Sequence, residues 1–423
     1  MLSNFSSTLY PSTTLKTMLK NFTKAAVGAA LITFSVGEVV QAATFEVLAS
    51  GLDGPRGLSF GSDGALYVTE AGRGGTGACI PSPSLPDANL CYGATSAVTR
   101  IENGITERVV TGLPSLALPD GSDASGAHDI AFDSTGRAYV VVGLAGNPND
   151  RDNLLGIADF GQLISIDDLN EGSAWTQVAD LAAYEGLNNP DGGDIISNPY
   201  ALLIQGDTAF VVDASANALL GVGIDGSELA VQSVFDTRPV TNPFGGLDIP
   251  MQSVPTSIAM SPDGAYYVGE LTGFPFPEDA ARVLRIEGEQ PVVYADEFTN
   301  IIDLAFDPEG SLYVLEYAAN SILSGDPTGE LSRVAPDGTR TTIASEGLIS
   351  PTGLALGPDG GIYISNNGFL AGQGQIIRID PNDEPTSVPE PTSILGLLTL
   401  GAFGTVLQLF HFQKLSKWIG KKV

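Results

Sequence analysis

Histidine is almost absent from this chain of 423 residues, which contains only His128 and His411. A zinc site built from several histidines is therefore excluded. A hydrolytic triad could use only His128, because His411 lies in the C-terminal tail. The neighbouring Asp129 would point to the opposite face of a strand, so the pair is poorly placed for acid–base catalysis. We expect His128 to be a hydrogen-bonded structural residue.

Lysine is absent from the body of the chain. All seven lysines lie in the two end segments, and twelve arginines are the only basic residues between Thr44 and Gln413. Schiff-base chemistry in the body is excluded, because it needs a lysine. The net charge of −30 argues against a nucleic-acid partner, since such partners are bound through basic side chains. This acidity favours the binding of cations, or it keeps the protein soluble outside a cell.

A Gly-rich phosphate loop between a strand and a helix is also missing, so nucleotide binding has no support. Six related segments occur instead, each an apolar strand, a tight turn and an aromatic-aliphatic strand. They span residues 57–68, 129–140, 201–211, 257–268, 303–314 and 353–364. Gly and Asp at the turns favour hairpins. A third strand follows each copy, as at residues 97–101, and outer strands such as 106–111, 174–179 and 291–295 complete four strands per unit. The repeat predicts an all-β, six-bladed β-propeller.

The first and last repeats resemble each other most. Residues 51–72 and 347–368 align without a gap, including both Asp-Gly turns. The last unit ends after its third strand, near Asp380. We therefore expect the strand Thr44-Phe45-Glu46-Val47-Leu48 to complete that blade and close the ring. The propeller domain is predicted to span residues 43–380.

An export signal is predicted at the N-terminus. Lys16, Lys20 and Lys24 precede an apolar run at residues 25–36, and Val40-Gln41-Ala42 offers small residues for cleavage. Residues 1–42 therefore read as a secretory signal peptide, too short to span a membrane. Met18 would give a more ordinary signal if translation began there.

The C-terminus has the composition of a membrane segment. A linker at residues 381–391 ends in Pro389-Glu390-Pro391, and residues 392–423 contain an uncharged stretch at 394–412 followed by four lysines. Such a stretch can cross a bilayer with its basic end in the cytoplasm. The combination resembles the PEP-CTERM sorting signal, which implies an exosortase-type membrane enzyme as a partner. A plain membrane anchor is the alternative. We expect export to the cell surface, periplasm or extracellular space, with at least transient anchoring.

The two cysteines, Cys79 and Cys91, lie in an insertion of the first blade. In an exported chain such a close pair predicts a disulfide that stiffens the loop.

Long connections are predicted on one face of the ring. They join second to third strands (71–95, 143–161, 271–280, 318–328) or successive blades (114–128, 182–200, 236–256). In an up-and-down blade both kinds emerge on the same side, and long loops on a rigid scaffold often build binding sites. The residues just before the inner strands should ring the funnel there: Arg56, His128, Tyr200, Thr256, Ile302 and Thr352.

The residues just after the second strands are mostly acidic. They are Glu70, Val142, Asp213, Glu270, Glu316 and Asn366. Glu70, Asp213, Glu270, Glu316 and Asn366 could converge on Ca²⁺, which takes several oxygen ligands. Alternatively they cap loop amides or pair with arginines. Three looser Asp/Asn-rich segments, at 120–123, 147–153 and 188–194, are more typical of turns than of ion sites.

Two sets of motifs point to known families. The Pro-x-Gly-Leu starts, Asp-Gly turns, Leu-Tyr-Val-x-Glu strand and Arg-Ile third strand resemble NHL-type propeller repeats. The opening Gly51-Leu52-Asp53-Gly54-Pro55-Arg56-Gly57-Leu58 and the insertion with Cys79, Cys91 and Val98-Thr99-Arg100-Ile101 resemble the ScyD/ScyE family of exported cyanobacterial proteins. That resemblance covers residue 44 to about 380. It implies an association with scytonemin, an extracellular pigment, and brings no catalytic residues.

Three functions are compatible with these features. The first is a non-catalytic, monomeric propeller that binds a small molecule or a protein on its long-loop face at the cell surface or in the matrix. The second is a Ca²⁺-dependent lactonase or esterase, in which the metal polarises a carbonyl. Against it, Val142 interrupts the acidic set. The third, a sugar-dehydrogenase type of propeller, would need His128 as base and a bound quinone. We favour the first.

Overall fold

Six antiparallel blades, the first with five strands and the others with four, form a ring in the computed structural model, which describes residues 45–380 except 86, 170–173 and 289. Blade 1 contains β2 (Pro55–Phe60), β3 (Leu66–Glu70), β4 (Cys79–Pro81), β5 (Asn89–Glu102) and β6 (Ile105–Ala117). Blade 2 contains β7 (Ala127–Phe132), β8 (Ala138–Val142), β9 (Gln162–Ile166) and β10 (Thr176–Asp180). Blade 3 contains β11 (Pro199–Gln205), β12 (Thr208–Asp213), β13 (Ala218–Gly223) and β14 (Ala230–Val234).

A small hairpin of β15 (Arg238–Val240) and β16 (Ile249–Met251) follows blade 3. Blade 4 contains β17 (Pro255–Met260), β18 (Tyr266–Glu270), β19 (Ala281–Glu287) and β20 (Gln290–Phe298). Blade 5 contains β21 (Ile301–Phe306), β22 (Leu312–Glu316), β23 (Glu330–Val334) and β24 (Arg340–Ala344). Blade 6 contains β25 (Gly353–Leu356), β26 (Ile362–Asn366), β27 (Ala371–Ile379) and, as its outer strand, β1 (Phe45–Asp53).

The N-terminal strand closes the ring, as predicted. β1 pairs antiparallel with β27, with Phe45 opposite Ile379 and Asp53 opposite Ala371. Closure also joins blade 6 to blade 1 through side chains, because Thr352 Oγ1 donates to Pro55 O at 2.7 Å and Ser365 Oγ donates to Arg56 O at 2.6 Å. The ring of blades is therefore closed between blade 6 and blade 1.

Each joint between blades has its own hydrophobic core. Six clusters of buried residues lie between neighbouring blades, and that between blades 6 and 1 includes Leu52, Leu58, Val68 and Ile376. The middle strands are packed between two other blades, so β3, β8, β9 and β22 are buried along their whole length. This packing on both faces explains the apolar runs of the repeat, which do not alternate with polar residues.

The turn between the first two strands explains the rest of the repeat sequence. In blade 1 the Asp63 carboxylate accepts from Ala65 N at 3.1 Å, from Tyr67 OH at 2.9 Å and from Arg100 Nη2 at 3.2 Å. In blade 6 Asp359 makes the same bonds with Gly361, Tyr363 and Arg378. The Asp-Gly turn, the Tyr and the Arg of the third strand therefore form one polar unit at the face opposite the long loops.

The cysteine-containing insertion is an extension of blade 1. Cys79 and Cys91 form the predicted disulfide, with their Cα atoms 4.1 Å apart across β4 and β5. The third strand of this blade starts at Asn89, eight residues before the expected Ala97, because β5 continues through the insertion. Ile80 and Leu90 are buried in the core between blades 1 and 2. The insertion is thus packed against the neighbouring blade.

Helices are short and lie in the connections. They are α1 (Pro148–Asp150) with a π-type turn at Arg151–Leu155, α2 (Leu181–Asn188) and a 3-10 turn at Ile322–Ser324. Within the described part of the chain, none of the helices has the length and apolar composition needed to span a membrane. The predicted signal peptide (1–42), Thr44, the linker with Pro389, Glu390 and Pro391, and the predicted membrane segment (392–423) lie outside the described residues.

Candidate functional site

The predicted funnel residues occupy the second position of the inner strands, except Thr352, which directly precedes β25. In blades 2, 4 and 6 the side chain bonds the carbonyl that begins the next blade. His128 Nδ1–H donates to Pro199 O at 2.9 Å, Thr256 Oγ1 to Ile301 O at 2.8 Å, and Thr352 Oγ1 to Pro55 O at 2.7 Å. These three side chains are buried. These hydrogen bonds connect blade 2 to blade 3, blade 4 to blade 5 and blade 6 to blade 1.

Blades 1, 3 and 5 carry Arg56, Tyr200 and Ile302 at this position. The Arg56 guanidinium donates to Gly368 O at 2.6 Å and to Ala124 O at 3.0 Å, so it ties the loops of blades 6 and 1 together. The Tyr200 ring lies 4.9 Å from the His128 ring. The sequence placed these residues on one ring, but it did not reveal that they bond backbone groups of the neighbouring blades.

His128 is a weak base in this environment. Burial, and secondly the charge of Arg56, lower the pKa of His128 to about 3. Its Nδ1–H is occupied by Pro199 O, and the Asp129 carboxylate accepts from Ile130 N and Leu202 N, both at 2.8 Å. The two neighbours in sequence therefore do not form an acid–base couple.

Each of the five candidate metal ligands accepts a hydrogen bond from the segment that immediately precedes the inner strand of its own blade. Glu70 accepts from Asp53 N at 2.7 Å, Asp213 from Asn198 N at 2.7 Å, and Asn366 Oδ1 from Ile349 N at 2.8 Å. Glu270 accepts from Ser253 Oγ at 2.8 Å, and Glu316 accepts from Thr299 N. The donor lies 17 residues before the acceptor in four of these pairs and 15 before it for Asp213.

Arginines neutralise two of these carboxylates. Arg108 donates to Glu70 through Nε at 2.8 Å and Nη2 at 2.6 Å. Arg282 donates to Glu270 at 2.8 and 2.7 Å, and Arg238 adds a bond at 3.1 Å. The structure does not bring the five side chains to one point. Over the described residues no three His, Cys, Asp or Glu side chains are grouped closely enough to hold a metal ion.

Two inner-strand aspartates were not among the predicted site residues. Asp129 and Asp303 occupy the position held by Gly57, Ala201, Ser257 and Gly353 in the other blades. Asp129 Oδ2 accepts from Leu202 N at 2.8 Å and Asp303 Oδ2 from Leu354 N at 2.6 Å, so each bonds the next blade. Burial raises the pKa of Asp303 to about 7, and burial followed by the charge of Asp303 raises the pKa of Asp129 well above its usual range. In the sequence, an Asp within an otherwise apolar inner strand was the signal that could have identified these two residues.

Gly57 makes room for one of these carboxylates. A Cβ atom at Gly57 would lie 2.0 Å from Asp129 Oδ1. The glycine of the Pro-x-Gly-Leu start in blade 1 therefore permits the close approach of blade 2.

The long connections lie on one face, which we call the loop face. Consecutive strands of each blade are antiparallel neighbours, so the second-to-third and the blade-to-blade connections emerge together. Adjacent connections bond each other: Ser122 bridges to Leu370, Gly146 bridges to Ser197, and Asn217 Nδ2 donates to Asp191 at 2.8 Å. The long connections therefore emerge on one face, as predicted, and some of the adjacent ones are bonded to each other.

Exposed apolar side chains are concentrated on the loop face. Among the described residues, twelve large apolar side chains are exposed, and seven of them lie in loop-face connections: Leu154, Leu187, Ile195, Phe244, Leu247, Ile349 and Phe369. Leu187 and Leu247 are 86% and 88% exposed. The Phe244 ring is stacked 6.4 Å from that of Phe274, which is 6.3 Å from Phe276. Among these side chains, Phe244 thus belongs to an aromatic cluster with Phe274 and Phe276, and exposed apolar clusters are typical of interaction surfaces.

A cavity of about 550 Å³ lies elsewhere, between the outer parts of blades 4 and 5. Tyr294, Asp296, Glu297, Pro336 and Arg340 line it. None of the predicted site residues contributes to it.

Comparison with known proteins gives similarity of fold only. No protein-family model and no curated protein matches the chain. A solved structure of regucalcin, a calcium-binding protein from Agrobacterium tumefaciens, is 13% identical, with a TM-score of 0.47, covering 82% of this chain and 99% of that one. The PQQ-bound aldose sugar dehydrogenase of Streptomyces coelicolor is 12% identical, with a TM-score of 0.47 and coverages of 80% and 99%.

A gluconolactonase from Xanthomonas campestris is 10% identical, with a TM-score of 0.41 and coverages of 80% and 99%. Identities and TM-scores this low carry no activity from those proteins to this chain. The chain itself is an all-β, six-bladed propeller.

Proposed function

We propose that this protein is an exported, non-catalytic propeller that binds a partner through its loop face, at the cell surface or in the extracellular matrix. The observation that carries the proposal is the concentration of exposed apolar side chains in the loop-face connections. Because these side chains are spread over several blades, they fit a protein or matrix surface better than a small ligand held in a pocket.

The proposal also includes the export and the location of the protein. Export is supported by the apolar run at residues 25–36, and sorting by an exosortase-type enzyme is supported by Pro389-Glu390-Pro391 with the uncharged stretch and basic end that follow. Membership of the ScyD/ScyE family is supported by the opening motif and the cysteine insertion, and it would link the protein to the production of a scytonemin-type pigment.

The test compares two pairs of substitutions in the full-length protein. Phe244→Ser with Leu247→Ser removes apolar area from the loop face. Val292→Ser with Val293→Ser removes exposed apolar side chains from β20 instead, at the outer edge of blade 4. We expect the first pair to release the protein from the surface or matrix fraction of producing cells at least about tenfold, since interface anchors often cost above 1.4 kcal/mol each. The second pair should be retained like the wild type.

Equal retention of both variants would contradict the proposal. Circular dichroism and thermal unfolding confirm that each variant is folded.

A Ca²⁺-dependent lactonase or esterase is the second candidate, and one observation favours it. Glu316 is buried beside the loop face, and burial, as the largest cause, raises its pKa to about 7, which suits a general base at neutral pH. The remaining proposed ligands, Glu70, Asp213, Glu270 and Asn366, are engaged in the bonds described above.

Hydrolysis of a lactone and an aryl ester, measured with Ca²⁺ and with EDTA, separates the two functions. The binding proposal predicts rates equal to the uncatalysed ones. A Ca²⁺-dependent rate that Glu316→Gln abolishes would replace it with the hydrolase.

A further inference from the structure

One buried carboxylate on the loop face has no partner. Glu185 lies on the inner side of α2 and is 2% exposed, yet neither of its carboxylate oxygens has a hydrogen-bond partner. Glu70, Glu270 and Asp213, also buried, each accept several hydrogen bonds. Buried polar groups are nearly always satisfied, so Glu185 calls for a ligand that the protein itself does not supply.

A second unsatisfied oxygen lies one helical turn further on. Asn189 ends α2 with a left-handed backbone, and its N–H donates to Glu185 O at 2.9 Å. The side-chain Nδ2 donates to Gly193 O at 3.0 Å, which leaves Oδ1 as the remaining polar atom. This Oδ1 is buried and has no donor. Two oxygen acceptors without partners therefore belong to the same helix end.

Negative charge surrounds these oxygens. Burial, followed by the charges of Asp213 and Asp191, raises the pKa of Glu185 to about 7. Asp213 is saturated by Ser197 Oγ and by the N–H groups of Asn198, Ser215 and Ala216. Asp191 accepts one bond on each oxygen, from Gly193 N and from Asn217 Nδ2, and so keeps lone pairs. Within the described residues Glu185 forms no ion pair with an arginine.

We propose that a hard divalent cation of the Ca²⁺ class binds between α2 and the top of blade 3, with Glu185 and Asn189 Oδ1 as side-chain ligands and Asp191 beside them. The chemistry of the donors selects the ion, because all of them are carboxylate or amide oxygens, which Ca²⁺ prefers, with backbone carbonyls and water completing its shell. Only part of the donor set is acidic, in keeping with the absence of three grouped acidic side chains among the described residues.

Binding would fix α2 and the turn after it. The segment 188–194 contains Asn, Asp and Gly residues and includes left-handed positions at Asn189 and Gly192. This segment was expected to be a turn, and it is one. The proposed ion adds a second role that depends on the packing of α2 against the blades. The site does not depend on the proposed binding function.

The test is a Ca²⁺ titration of the EDTA-treated full-length protein by isothermal titration calorimetry, with thermal unfolding in parallel. We expect the wild type to bind one ion and to unfold at a higher temperature with Ca²⁺. Glu185→Gln keeps the size of the side chain and should weaken binding at least tenfold. It should also raise the unfolding temperature in EDTA, because it removes an unpaired buried charge. Asn189→Ala should weaken binding several-fold.

Glu228→Gln is the matched control, since Glu228 is an exposed acid in the turn between β13 and β14 of blade 3. It should bind Ca²⁺ like the wild type. The proposal is overturned if the wild type binds no Ca²⁺, or if Glu185→Gln and Asn189→Ala both bind it with unchanged affinity. Binding lost in Glu316→Gln but kept in Glu185→Gln would place the ion in the funnel and would also overturn it.

Discussion

Single side chains hold the blades together in this propeller. Asp129 and Asp303 each accept the free N–H of the next inner strand, and Thr69 Oγ1 donates to His128 O at 3.1 Å across the joint between blades 1 and 2. Inner strands have a free edge toward the axis, so their backbone groups need side-chain partners. Buried carboxylates that supply these partners pay a desolvation cost, which makes them sensitive to pH.

Asp303 should therefore contribute a decrease in the free energy of unfolding as the pH rises from about 4 to about 7. Burial raises the pKa of Asp303 to about 7, whereas an aspartate of the unfolded chain titrates near 3.9. Between these two pKa values the native state holds a proton that the unfolded state has released. The stabilisation from this proton is complete below the pKa of the unfolded state, and it is lost as the pH rises through the pKa of the folded state. For this group the slope is about 1.4 kcal/mol per pH unit. The pKa of Asp129 is shifted in the same direction.

Denaturant unfolding at several pH values tests this prediction. Asp303→Asn cannot titrate and should show a shallower decline than the wild type. Asp207→Asn, at an exposed turn of blade 3, should follow the wild type. A decline that is equally steep in Asp303→Asn would show that another group is responsible.

Among the elements, β1 closes the ring. It supplies the outer strand of blade 6, and its Ala49 and Leu52 are buried in the core between blades 6 and 1. Without it, β27 would expose its edge, and the core at the closing joint would open to water. The remaining contacts across that joint are the hydrogen bonds of Thr352, Ser365 and Arg56.

We expect the intact protein to unfold in a single cooperative transition and a chain that lacks β1 to lose this cooperativity. Adding a synthetic peptide with the sequence of Phe45–Asp53 should restore that transition, because strand pairing and burial of Ala49 and Leu52 are recovered. Calorimetry measures both. A scrambled peptide is the control. Unchanged unfolding after removal of β1 would mean that the side-chain contacts alone close the ring.

As a whole molecule, the protein combines an acidic body with an apolar loop face. The net charge of −30 repels other copies at low ionic strength, which favours the monomer. The exposed apolar side chains of the loop face favour association instead, since contact with a partner removes their apolar area from water.

We expect light scattering after size-exclusion chromatography to give the mass of one chain, both at about 50 mM and at about 500 mM salt. Screening at the higher salt weakens the repulsion, so any self-association should appear there first. A dimer that dissociates on Phe244→Ser with Leu247→Ser would contradict this prediction and would identify a second copy as the partner of the loop face.

The sequence by itself determined the number of blades, the closing strand and the disulfide. Blades packed on both sides need apolar residues at consecutive positions, so each copy leaves the same local pattern, as at residues 57–68 and 353–364. The balance of strands then required one from the N-terminus. The contacts of Glu70, Asp213 and Glu270 were left open, because a carboxylate after a strand suits an ion, an arginine or a backbone N–H equally well.

Only the tertiary structure decided between these roles. Arg108 reaches Glu70 from a different strand, and Arg238 reaches Glu270 from the hairpin after blade 3. The unpartnered oxygens of Glu185 arise because α2 packs its inner side against the blades. Repeats record the packing that every blade shares, whereas these contacts occur once, between segments distant in sequence, and leave no periodic signal.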